Sequence, residues 1–107
     1  MNKETQESIN QIQLMEQSLQ NLIAQKQLFQ NQLLEAESAT KELASSEKAY
    51  KIIGNLMILK DKKEIQEETK QKLERVSIRL KSIEKQEERA KGKIKELQDK
   101  VLTDMKK

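Results

Sequence analysis

The sequence predicts a mainly α chain: a long antiparallel coiled-coil helical hairpin whose one central β-hairpin completes a shared sheet or β-barrel with other subunits. Three observations lead there. Apolar residues recur at alternating spacings of three and four over two long stretches. A short apolar segment of β-forming residues around a glycine, YKIIGNLMILK, separates them. And a chain of 107 residues that is 36% charged, 35% hydrophobic and 2% aromatic has too little apolar volume for a compact core of its own. The regular spacing and the absence of proline argue against disorder. One domain spanning 1–107 is expected, with helix 1 at about 3–46, the β-hairpin at 49–60 and helix 2 at 62–106.

In the first stretch Ile12, Leu19, Lys26, Leu33 and Thr40 fall at heptad position a, and Met15, Leu22, Phe29, Ala36 and Leu43 at d. Gln, Asn, Glu and Ser dominate the positions between, and Ile9, Ile23 and Leu28 are expected to widen the stripe. The second stretch places Leu73, Leu80, Glu87, Ile94 and Val101 at a, and Val76, Ile83, Ala90, Leu97 and Asp104 at d. Asp61 is its expected N-cap, with Glu64 three residues on as in a capping box. Arms of this length reach roughly 55 to 70 Å. The connection is short, so the two helices are expected to fold back on each other. If Leu43 faces Leu73 beside the connection, then Leu33 pairs with Ile83, Leu22 with Ile94 and Met15 with Val101. The charged seam residues Lys26 and Glu87 then lie in neighbouring layers and act as a register-setting pair.

Between the helices, Gly54-Asn55 is a two-residue turn with glycine at the first central position, as a type II′ hairpin requires. Ile53 then pairs with Leu56, Ile52 with Met57, Lys51 with Ile58 and Tyr50 with Leu59. Alternation puts Tyr50, Ile52, Met57 and Leu59 on one face, and Ile53, Leu56 and Ile58 with Lys51 on the other. Both faces are apolar and both edges are open, and a lone two-stranded hairpin is marginal in water. Tyr50, Ile52, Ile53, Gly54, Leu56, Met57, Ile58 and Leu59 are therefore expected to assemble with the same segment of other subunits. The competing reading, a helix-loop-helix corner, has little use for so many consecutive β-formers.

With these elements in place the chain resembles the β-class subunit of prefoldin, a hexameric chaperone of archaea and eukaryotes. AYKIIGNLMILKDKKE is similar to the family's succession of strand, Tyr-Lys, glycine, strand and charged helix start. AQKQLFQNQLLEAESATKEL and RLKSIEKQEERAKGKIKELQ extend the resemblance along both arms, and one hairpin instead of two matches the β class over the α class. The archaeal form is the more similar. Leu59 lengthens the apolar run of the second strand, and the ASSEK link is shorter than is common in the family. The resemblance implies a particle of two α and four β subunits whose hairpins close a double β-barrel and whose coiled coils hang as tentacles. It also implies that the tentacle tips hold non-native polypeptides and pass them to a group II chaperonin without ATP.

A protein that holds clients must leave apolar side chains unpaired at the ends of its arms. Ile9, Ile12, Leu14 and Met15 near the N-terminus, and Val101, Leu102 and Met105 near the C-terminus, are the candidates. Ile12 faces Asp104 in the expected register, Leu14 and Leu102 lie off the seam, and methionine adapts to varied shapes. The basic runs KDKK and MKK and the segment EKQEER read as solvated helix faces, with Glu87–Lys91 and Glu96–Lys100 as i,i+4 pairs. No histidine, cysteine or phosphate-cradling glycine loop is available, so neither an enzyme, nor a cofactor, nor a metal site is expected. The alternative class is a structural or adaptor coiled coil without client-holding activity. The net charge of +3 is interspersed and no aromatic platform exists, so no nucleic acid is expected. No apolar run reaches membrane-spanning length, so no membrane partner and a cytoplasmic location are expected.

Overall fold

The computed structural model describes residues 2–106, and Lys107, the last residue of MKK, lies outside them. The element order is α1 (Lys3–Ser45), β1 (Ala49–Ile53), β2 (Leu56–Lys60) and α2 (Lys62–Lys106). This is the mainly α helical hairpin with one central β-hairpin that the sequence predicts, and the helix-loop-helix corner is excluded by the two paired strands.

Each helix starts on a side-chain cap. The Thr5 amide donates to Asn2 Oδ1 at 2.7 Å, and the Gln6 amide to the Asn2 carbonyl at 3.1 Å. Asp61 opens α2: Oδ1 accepts from the Lys63 amide at 3.3 Å and its carbonyl from the Ile65 amide at 3.1 Å. Asp61 caps the second helical amide, not that of Glu64, and among the described residues Glu64 makes no return bond, so Asp61 is the N-cap expected but the capping box does not form. At the end of α1 the Ser46 hydroxyl donates to the Glu42 carbonyl at 2.7 Å, which satisfies an orphan acceptor where the chain leaves the helix.

The described chain forms two compact units: a terminal unit of residues 2–27 and 81–106, and a hairpin unit of residues 28–80. In the terminal unit the buried side chains are Ile83, Ile94, Leu97 and Val101, joined by Thr5, Ser8 and Glu87. In the hairpin unit they are Ala36, Ala49 and Val76. All but Ala49 occupy the a and d positions of the heptad, so burial follows the three-and-four spacing. Ile23 and Leu28 are exposed, and the apolar stripe is narrower than expected.

The pairing of the helices departs from expectation. Thr5 and Asp104 line one groove, where Ile12 was expected to face Asp104. The register is therefore displaced by one heptad, and Thr5 and Ser8 fill buried seam places. The hairpin unit shows the same displacement, and there the turn accounts for it: strands paired about Gly54-Asn55 bring nearby residues equally distant from that turn level with each other, and Thr40 and Thr69, such a pair, line one groove.

Candidate functional site

Two surfaces carry apolar side chains that the chain does not cover. The first is the hairpin. Its register is Tyr50↔Leu59, Lys51↔Ile58, Ile52↔Met57 and Ile53↔Leu56, as the turn residues predict. Gly54 has φ +61° and Asn55 is not in the left-handed region, the signature of a type II′ turn. Only glycine enters that conformation without steric cost. On the face that holds Tyr50, Ile52, Met57 and Leu59, every side chain is more than half exposed. The other face is partly tied down: Ala49 is buried, Ile58 is the least exposed of the large strand hydrophobes, and Lys51 Nζ reaches Glu68 Oε2 on α2 at 3.2 Å.

The second surface belongs to the terminal unit. Leu14 is 66% exposed, Leu102 56% and Met105 62%. Ile9, Ile12 and Met15 are half-buried. Val101 is buried and belongs to the seam, a correction to its place among the accessible residues, because the shifted register sets it level with the small side chain of Ser8. Ile9 and Met105 stand at heptad position e and Leu102 at b, which share one side of an antiparallel pair, whereas Leu14 at c lies on the other.

Lys26 and Glu87 meet as the sequence predicts, Nζ to Oε2 at 3.2 Å, and Lys91 Nζ holds Oε1 at 2.9 Å. The Lys91 and then the Lys26 ammonium hold the Glu87 carboxyl below its usual range, against a smaller upward push from burial. Glu96 pairs back to Lys93 at 3.7 Å and not forward to Lys100.

Two features escaped the sequence reading. Arg79 stacks on Phe29, 5.9 Å from the ring centroid. A groove lined by Thr40, Leu43, Ala44, Gln66, Thr69, Lys70 and Leu73 opens in the hairpin unit. Threonine at an a and a d position, with Gln66 at a further a position, was its sequence signal. Among the described residues no group of acidic side chains is arranged to hold a metal ion, and no helix is long and apolar enough to cross a membrane.

Comparison with known proteins agrees with this architecture. The family model described as prefoldin subunit matches residues 6–107. The chain is 37% identical over 101 residues to the prefoldin subunit beta of Methanothrix thermoacetophila, covering 92% of this chain and 84% of the relative. It is 36% identical over 103 residues to that of Thermococcus onnurineus, covering 94% and 89%. The crystal structure of the prefoldin beta subunit from Thermococcus strain KS-1 superposes with a TM-score of 0.88 at 31% identity, over 95% of this chain and 92% of that one. The bare hairpin and the heptad helices are thus those of a known assembly, and the chain belongs to the prefoldin family as a beta-class subunit, a chaperone component that assembles with other prefoldin subunits and is not an enzyme.

Proposed function

We propose that this chain is a client-holding subunit that acts without ATP: its terminal unit binds non-native polypeptides, and its hairpin joins two α-class and three further β-class subunits in a hexamer. Delivery of the client to a group II chaperonin completes the cycle. The observation that carries the reading is the exposure of Leu14, Leu102 and Met105 near the chain ends, within the terminal unit. Unfolded chains display apolar side chains in no fixed geometry, so a holding surface needs accessible, adaptable hydrophobes and no shaped pocket. Ile9 and the half-buried Ile12 and Met15 extend that surface. Nothing in the chemistry calls for a nucleotide: one glycine sits in the hairpin turn and the other inside α2, so neither forms a phosphate-binding loop.

The test replaces Ile9, Leu14, Leu102 and Met105 with Ser. Suppression of aggregation of a denatured client should be abolished while the mass of the assembled particle is unchanged. Undiminished suppression by a correctly assembled variant would refute the assignment and favour an adaptor coiled coil.

A further inference from the structure

The seam between the helices opens beside the hairpin. Thr40 stands at an a position and Thr69 at a d position, where a large apolar residue would close the layer. Thr40 is exposed, its hydroxyl donating back to the Ala36 carbonyl at 2.8 Å. Leu43 and Leu73 are left half-buried. The result is a groove of about 240 Å³, walled by these residues with Ala44, Gln66 and Lys70, which no described side chain of its own unit fills. A gap of that size between leucines forfeits packing that a protein interior normally keeps.

We propose that this groove receives an apolar side chain from the hairpin of a neighbouring prefoldin subunit, so that groove and hairpin form one continuous assembly surface. The inference rests on the hairpin being the assembly element. Three features favour this occupant. The groove reaches Ala44, a few residues before β1, and so adjoins the hairpin along the chain. Its walls are mostly methyl and methylene groups, matching Ile52, Met57 and Leu59, which are all more than half exposed in the free chain. Its volume suits one or two large aliphatic side chains, the usual form of an interface anchor. Lys70 at the rim keeps its ammonium in water while its stem lines the wall.

The experiment mixes the full chain with an archaeal α-class prefoldin subunit and reads assembly by native mass and sedimentation. Ala44→Arg, which occludes the groove from an exposed helix position, should raise the dissociation constant at least tenfold with helix content unchanged. Thr69→Leu fills the groove from within, so it should raise the melting temperature of the isolated chain while weakening assembly. The chain has no cysteine, so a disulfide between Thr69→Cys on one copy and Met57→Cys on another reports the contact directly. If Ile52→Ser weakens assembly but Ala44→Arg and Thr69→Leu do not, the groove is not part of the interface and the hairpin reading stands. If Ile52→Ser assembles normally, both readings fall. If Ala44→Arg assembles normally yet loses aggregation suppression, the occupant is client and the proposal is overturned.

Discussion

The assembly role of the hairpin is tested most directly by the pair Ile52→Ser and Leu59→Ser. Both side chains lie on the same face of the two-stranded sheet, 69% and 59% exposed in the single chain. Fully burying a Leu or Ile side chain is worth about 1.5–3 kcal/mol. Only the exposed fraction is left for partners to cover, so each residue offers about 1–2 kcal/mol and the pair about 2–4 kcal/mol. At about 1.4 kcal/mol per tenfold, the subunit dissociation constant should rise roughly 30- to 700-fold. The isolated chain should scarcely notice, because these residues already face water and only strand propensity, at most about 1 kcal/mol, is at stake. The assay is sedimentation velocity over a range of concentrations, with circular dichroism to check the helices. Leu34→Ser with Ile78→Ser is the matched control: those side chains are 61% and 68% exposed on the helices, and their loss should leave assembly unchanged. An unaltered dissociation constant for the hairpin pair, or an equal loss in the control, refutes the reasoning.

Four further outcomes are expected. Glu87 has a carboxyl held below its usual range, so its stabilisation is complete at neutral pH and is lost as pH falls through that depressed value; the melting-temperature gap between wild type and Glu87→Gln should close on acidification below the normal carboxylate range. Glu87→Leu should raise the melting temperature while loosening register, seen as disulfides between Ile12→Cys and Asp104→Cys, which are out of register in the native chain. Gly92→Ala adds a methyl with nothing within 4 Å inside a helix, so it should add about 1 kcal/mol and raise the melting temperature by about 4 °C in a thermal scan. Gly54→Val forces a β-branched residue to φ +61° at a cost of at least about 1–2 kcal/mol, and hydrogen exchange of the strand amides should quicken tenfold or more.

The contrast between the hairpin and the helix register shows what kind of information each carries in sequence. The hairpin register was legible because a two-residue turn fixes it locally: Gly54 alone supplies the left-handed φ, and every strand pair then follows by counting outward. Which helix positions face inward was legible for a similar reason, since the three-and-four spacing is set by helix geometry before any partner is chosen. Leu14 and Leu102 stood off that stripe and are exposed, as their positions require. Which layer meets which was misjudged by a heptad. Matching Leu43 to Leu73 maximises apolar pairs near the connection, and that criterion has no way to prefer Thr5 and Ser8 in buried places. Yet the deciding information was local after all. The helices adjoin the strands within a few residues of Ala49 and Lys60, so the turn that sets the strand pairing also sets the helix pairing beside it in the hairpin unit. Counting outward from Gly54-Asn55 within the hairpin unit sets Thr40 level with Thr69 and leaves both where leucines are wanted. The same count that corrects the register therefore exposes the groove: the layers least able to close themselves are those nearest the segment whose own apolar side chains are left bare.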